Sequence, residues 1–314
     1  MFKTIYNILT TKNPNLFFLK WSLIFAFLVI LLILYRSIHT PQSNREGFHQ
    51  KEPFVVKRNE DAMDTFYAEM YDSLHSVNKR VDKELIHILN TTNPSTKHSV
   101  FLDVGSGTGH ILNELNEAGY NAYGIEKSQQ MIDYSKDSYP DIEVLHGDIL
   151  EPMSFEKHTF THVLCTYFTI YNLSDKLQFF RNCYHWMQPG GYLIIHLVDK
   201  NKFEKIIPHE MAMSERTAIT PERCNLKTKA IFTDFEYKGN YELSKQTDEV
   251  TFIETMTDLD TKHIRQNEIT LHMEDLEVIL SYAKRAGFLQ HAKTTMQSMN
   301  GDSNQYLYYF ERPL

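Results

Sequence analysis

The chain has 314 residues, of which 42% are hydrophobic and 13% aromatic, enough for a packed core and too apolar for a disordered chain. That length allows one large domain or two small ones, at roughly 100–200 residues per domain. The formal net charge of -8 argues against a general nucleic-acid binder, because neutralising phosphates needs clustered Lys and Arg.

Residues 1–15 read as a short N-terminal tail. Leu16 to Tyr35 is then almost wholly apolar, with Lys20 as its one charge. Such a run is long enough for a transmembrane helix at about 1.5 Å rise per residue, and it lacks the short core and small-residue cleavage site of a signal peptide. A single-pass membrane protein is therefore expected. The Lys and Arg residues flanking the run do not decide its orientation. Residues 36–58 are polar, carry Pro41, Gly47 and Pro53, and read as a linker.

A helical pattern follows, with Met63, Phe66, Tyr67, Met70, Tyr71, Leu74, Val77, Val81, Leu85 and Ile88 recurring at three- and four-residue steps up to the breaker Asn93-Pro94. From His98 onward strands and helices alternate. Strands are expected at 99–104, 121–126, 142–146, 160–167 and 192–198, with helices at 108–118, 128–138 and 175–187. This order implies an α/β fold, a doubly wound, Rossmann-like, mainly parallel sheet. Between about 222 and 273 the pattern turns to near-alternating β-branched and aromatic residues, in three segments at 227–237, 249–256 and 263–273. They imply an inserted antiparallel lid. A helix at 274–286 capped by Gly287, then strands at 288–295 and 305–311, close the chain, the strands as a hairpin on the sheet edge.

Three cysteines are no disulfide framework, and Cys165 and Cys183 read as small buried hydrophobes of a reducing compartment. Scattered histidines, without CxxC or HExxH, give no reason to expect a metal.

The chemistry concentrates in Asp103-Val-Gly105-Ser106-Gly107-Thr-Gly109-His110, between an apolar strand and a helix. Glycines let the backbone turn tightly and approach a ligand, and a helix N-terminus favours a carboxylate. Glu126, at the end of the second strand, is placed to accept hydrogen bonds from ribose hydroxyls. A dinucleotide fold is the obvious rival, but the spacing is G-x-G-x-G, with His110 where another glycine would be needed. Asp103 would repel a pyrophosphate and suits an ammonium. Asp148, in His146-Gly-Asp-Ile149, is placed to accept from an adenine amino group.

Together with Gln188-Pro-Gly-Gly191, these motifs resemble those of class I S-adenosylmethionine-dependent methyltransferases. The inserted lid and the segment from Phe66 to Asp72 look like the small-molecule branch, akin to glycine and amino-sugar N-methyltransferases. The resemblance implies S-adenosyl-L-methionine as cofactor and a methyltransferase domain over residues 59–314. It implies that Asp103, Gly105, Ser106, Gly107 and Gly109 hold the methionine part and Glu126 the ribose. Asp148 and Ile149 would then hold the adenine, with Lys127, Thr166 and Tyr71 completing the cofactor site.

The expected reaction is methyl transfer to N or O of a small-molecule or membrane-resident acceptor. The anchor at 16–35 would keep the domain at a membrane, on the cytosolic side where the methyl donor is made. His196 and Tyr167 are the candidates for a catalytic proton relay. The plainer reading makes His196 a satisfied core histidine, and Tyr167, Thr169 and Tyr171 pocket wall. Tyr67 and Tyr71, four apart on one helix face, fit packing or ligand contact equally. Asp234, Glu236 and Glu242 are expected on a solvated strand face, although an amine is a conceivable partner. Two other classes stay open: a nicotinamide-dependent oxidoreductase, and a non-catalytic, membrane-tethered nucleoside-binding module.

Overall fold

A computed structural model describes residues 20–22, 24–31, 50–75, 77–203, 227–232, 234–244 and 247–314. Residues 48–314 form one compact unit, and residues 1–47 group separately.

The membrane-spanning helix expected at 16–35 is corrected. Among the described residues no helix is long and apolar enough to cross a membrane. The described helical residues there run 20–22 and 24–31. A helix over that stretch rises about 18 Å, well short of a hydrocarbon core of about 30 Å. Residues 16–19, 23 and 32–35 of the expected span lie outside the described residues. The membrane attachment, membrane-resident acceptor and single-pass placement drawn from that helix fall with it.

Within the compact unit, the alternation read from the sequence becomes a seven-stranded sheet. In chain order its strands are β2 (Val100–Val104), β3 (Asn121–Glu126), β4 (Glu143–His146), β5 (Phe160–Cys165), β6 (Met187–Val198), β11 (Leu289–Thr295) and β12 (Gln305–Glu311). The spatial order is β11-β12-β6-β5-β2-β3-β4. The strands from β2 to β6 pair in parallel, while β12 runs antiparallel to β6 and β11 to β12, as the expected C-terminal hairpin.

Alternating residues of each strand serve opposite faces. Phe101, Leu164, Ile194 and Leu307 pack on one side with Val81, Leu85 and Ile88 of α2 (Val77–Thr92) and with Leu112 and Leu115 of α3 (His110–Glu117). Leu102, Val163, Ile195 and Phe310 pack on the other side with Phe179, Phe180 and Trp186 of α5 (Lys176–Trp186) and with Ile279 and Ala283 of α6 (Leu276–Ala286). Cys165 and Cys183 are buried free thiols in this second core. The doubly wound α/β architecture is therefore present.

The helical pattern of residues 63–88 resolves into two helices, α1 (Thr65–His75) and α2. The remaining helix of the parallel half, α4 (Gln129–Ser138), starts at Ser128, whose side chain accepts from the Met131 N–H.

A second sheet of five strands, in the order β1-β10-β9-β8-β7, forms the lid. Its antiparallel part is β7 (Lys227–Ile231), β8 (Phe235–Leu243), β9 (Glu249–Asp258) and β10 (Ile264–His272). The segment 227–237, read from sequence as one strand, turns back on itself, with the Phe232 N–H donating to the Phe235 carbonyl. The fifth strand is β1 (Phe54–Arg58), which pairs in parallel with β10 where the sequence suggested linker. Its partner lies some two hundred residues away, so no local pattern announces it.

Candidate active site

The glycine loop leaves the C-terminal end of β2, the end at which ligands sit in open parallel sheets. The loop is held from the neighbouring strand: the N–H groups of Gly105 and Ser106 donate to the Ile125 carbonyl at 2.8 and 3.3 Å. Gly105 has φ +67°, and a Cβ there would sit 2.7 Å from Thr169 Cγ2, so this position demands glycine. Gly109, φ +80°, begins α3, and its missing Cβ would lie 2.5 Å from Ile142 Cδ1 and 3.0 Å from Ser135 Cβ. Gly109→Ala is expected to cost about 3 kcal/mol of stability through strain and overpacking. A fall in the urea midpoint would show it, and an unchanged midpoint would contradict it.

Glu126, at the end of β3, organises the loop. Its Oε2 accepts from the Gly107 N–H at 2.9 Å, and its Oε1 from the N–H groups of Lys127 and Ser128 at 2.8 and 2.9 Å. Asp148 follows β4. Burial raises its carboxyl, but the Leu150 N–H and Lys127 prevail and hold it below its ordinary value. Lys127 Nζ lies 3.1 Å from Asp148 and 2.7 Å from Glu60. Ile149 is buried in the core beneath.

A cleft opens over the loop, lined by Asp103, Gly105, Ser106, Gly107, Thr166 and Tyr167, with Tyr71 from α1 and Arg80 from α2. Asp103 is only 2% exposed. Burial and the nearby Glu126 push its carboxyl well above the ordinary range, against the opposing pull of Arg80. Ser106 Oγ is buried without a hydrogen-bond partner among the described residues. The structure thus brings together Asp103, the glycine loop, Thr166, Tyr167 and Tyr71 around one cleft, with Glu126 on the loop. Lys127 follows Glu126 at the end of β3, and Asp148 and Ile149 follow the neighbouring strand β4.

The two candidates for a proton relay separate. Tyr167 lines the cleft in a left-handed backbone conformation, φ 52°, an uncommon state for a tyrosine. His196 is fully buried in β6 and is not among the cleft-lining residues. Its Nε2 lies 2.9 Å from Gln305 Oε1, which also accepts from Asn300, so Nε2 carries the proton. Burial, reinforced by Arg80, pushes the imidazole down to about 3. Of the other residues weighed from sequence, Thr169 lines the cleft, Tyr171 is buried with its hydroxyl taking the Val198 N–H, and Tyr67 is buried on α1.

Sequence reasoning missed three polar residues. Arg80 and Glu84 form a buried two-bond ion pair at 3.0 and 2.9 Å, with the guanidinium 4.3 Å from the Tyr167 ring centroid. His75 bridges two phenols, with the Tyr167 hydroxyl 2.8 Å from Nδ1 and the Tyr67 hydroxyl 3.1 Å from Nε2.

A family described as a methyltransferase domain matches residues 102–195, from β2 to β6. An uncharacterized methyltransferase of Alkaliphilus oremlandii is 32% identical over 101 residues, which is 32% of this chain and 45% of that protein. The chain thus spans less than half the length of the curated relatives it matches. Among solved structures, an S-adenosylmethionine-dependent methyltransferase from Clostridium acetobutylicum superposes with a TM-score of 0.60 at 16% identity, covering 79% of this chain and 98% of that one. An amino pentose methyltransferase from Micromonospora echinaspora, solved with S-adenosylmethionine bound, gives 0.52 at 17% identity over 73% and 90%. Residues 102–195 thus match a methyltransferase-domain family, and the solved S-adenosylmethionine-dependent methyltransferases share the fold of this chain.

Proposed function

We propose that this chain transfers a methyl group from S-adenosylmethionine to nitrogen or oxygen of a small-molecule acceptor by direct displacement. The observation that carries the reading is the cleft itself: a buried carboxylate, Asp103, facing a glycine turn whose far side is held by Glu126. When bound, the donor supplies a methyl group already activated on a sulfonium. The chain's own task is then alignment and exclusion of water.

Asp103 is suited to the donor's ammonium and Arg80 to its carboxylate. Glu126 retains acceptor capacity for ribose hydroxyls beyond the N–H groups it already takes. Asp148 and Ile149 suit an adenine edge and face, with Lys127 fixing Asp148. Tyr71, Thr166 and Tyr167 wall the reacting end. The buried, acid-shifted imidazole of His196 favours a packing role. The chain from Tyr167 through His75 to Tyr67 offers a shorter route for a proton away from the cleft. A nicotinamide dinucleotide fits less well, because Asp103 would face its pyrophosphate.

Calorimetric titration of the full chain with S-adenosylmethionine, S-adenosylhomocysteine and NAD tests the reading. Heat is expected with the first two and none with the third. Heat with NAD alone would sink it.

A further inference from the structure

Away from the lid, a buried imidazole meets two carboxylates where α2 runs beside α3. His110 opens α3, Glu114 follows one turn later on the same helix face, and Asp82 comes from α2. One ring nitrogen of His110 and one carboxylate oxygen from each acid all lie within 4.8 Å of one another. Asp82 is exposed and Glu114 half-buried, whereas His110 is only 8% exposed.

The imidazole is the informative member. Its Nδ1 lies 3.1 Å from the hydroxyl of Tyr139, the residue that ends α4. Its Nε2 is buried with no hydrogen-bond partner among the described residues. Glu114 Oε1 stands 3.9 Å from Nε2, too far for a hydrogen bond. Neither protonation state of Nε2 accounts for this arrangement. An N–H there would be stranded away from water. A bare Nε2 would turn its lone pair on two negative oxygens. A cation among the three groups satisfies them all, and neither acid is paired with Lys or Arg among the described residues.

We propose that His110, Glu114 and Asp82 bind a divalent transition-metal ion of the zinc class. The site is independent of the methyl-transfer reading. The imidazole disfavours magnesium and calcium, which take oxygen ligands, and the two carboxylates disfavour soft copper(I). Ligand atoms around a four-coordinate zinc stand about 3.4 Å apart, so the carboxylates close in by roughly 1 Å. The exposed Asp82 and half-buried Glu114 have room to do so. Water fills the fourth position. The N-terminal end of α3 opposes a lone cation, and the two carboxylates offset that field. The Tyr139 hydroxyl, accepting from Nδ1–H, holds the ring with Nε2 toward the metal, as outer partners of metal-bound histidines do. The ion ties α2, which carries Arg80, to the helix that the glycine loop opens. Asp82 lies on a separate helix, so no short motif along the chain marks the group.

The test uses the full chain, stripped of metal with EDTA, desalted, and titrated with zinc chloride by calorimetry at neutral pH. A single high-affinity equivalent is expected, and zinc should raise the melting temperature. Asp82→Asn and Glu114→Gln should each weaken zinc by about 100-fold, and Tyr139→Phe by about 10-fold. Without zinc, Asp82→Asn should melt with the wild type, since that side chain is exposed. Cobalt(II) in place of zinc should show the intense visible absorption of a four-coordinate ion, and Asp82→Asn should weaken it. Wild-type zinc affinity in the double variant, Asp82→Asn with Glu114→Gln, would place the ion on other histidines and overturn the assignment. So would the pale spectrum of hydrated six-coordinate cobalt, or a melting temperature that zinc does not raise.

Discussion

Asp103→Asn is expected to bind S-adenosylmethionine about 100-fold more weakly than the wild type, the scale of losing one partner of a buried charge pair. Without ligand, it should melt higher. Both effects come from one carboxyl group that burial and Glu126 push well above its ordinary range. A folded state that raises an acid's pKa binds more protons than the unfolded chain. Stability from Asp103 is therefore full below the unfolded value of about 3.9 and is lost as pH rises through the higher folded value. Above the unfolded value, ionising this buried group weighs against the empty fold, and a neutral amide carries no such cost. An ammonium ligand supplies the missing countercharge, so donor affinity should climb as pH rises through the raised value. Calorimetry at stepped pH, paired with thermal melts of both proteins, measures the two arms. Wild-type affinity in the variant, or a lower melting temperature, would contradict the assignment.

Arg80→Met should cost the most stability of any single change considered, about 4 kcal/mol, because it strands a buried carboxylate. Glu84 is 1% exposed, and among the described residues its side-chain hydrogen bonds are the two from Arg80. The loss should appear as a melting temperature lower by roughly 10 °C. Replacing both partners, Arg80→Met with Glu84→Leu, should recover most of that loss, since two apolar side chains of similar volume need no countercharge. Donor binding should stay weak in the double variant, because the guanidinium facing the cleft is still missing. Urea denaturation and calorimetry on the three proteins separate the roles. A double variant as unstable as the single would refute the ion-pair account, and one that binds the donor normally would remove Arg80 from the site.

The central sheet was readable in the sequence because each parallel strand is a short apolar run bounded by glycine, proline or a cap, and each helix carries its own period. The glycine loop, Glu126 and Asp148 were readable because they follow the ends of those strands. What escaped reading depended on partners far along the chain. Phe54–Arg58 looks like linker until β10 is placed beside it. Arg80 and Glu84 sit among the apolar positions Val77, Val81, Leu85 and Ile88, and two opposite charges within a buried stripe were an available signal. In the lid segment, the three acids weighed from sequence lie on the solvent side, as expected of a strand face. Asp234 and Glu242 are exposed, and Glu236 is half-buried, with Lys238 2.7 Å away. Glu254 alternates in phase with Val250, Phe252 and Met256, so period two alone would have turned it inward. The apolar run at 16–35 shows the converse: hydropathy proposed a membrane crossing that the described helix does not reach.

The parallel pairing of β1 with β10 bears on how this domain is to be cut for study. Remove the chain before Thr65, and the outer rim of the lid is left with a row of unanswered amides and carbonyls, ready to zip onto a second molecule. Arg265 would at the same time lose Asp64 and the Ala62 carbonyl, its anchors at that rim. A fragment starting upstream of Phe54 should stay monomeric where one starting at Thr65 clumps.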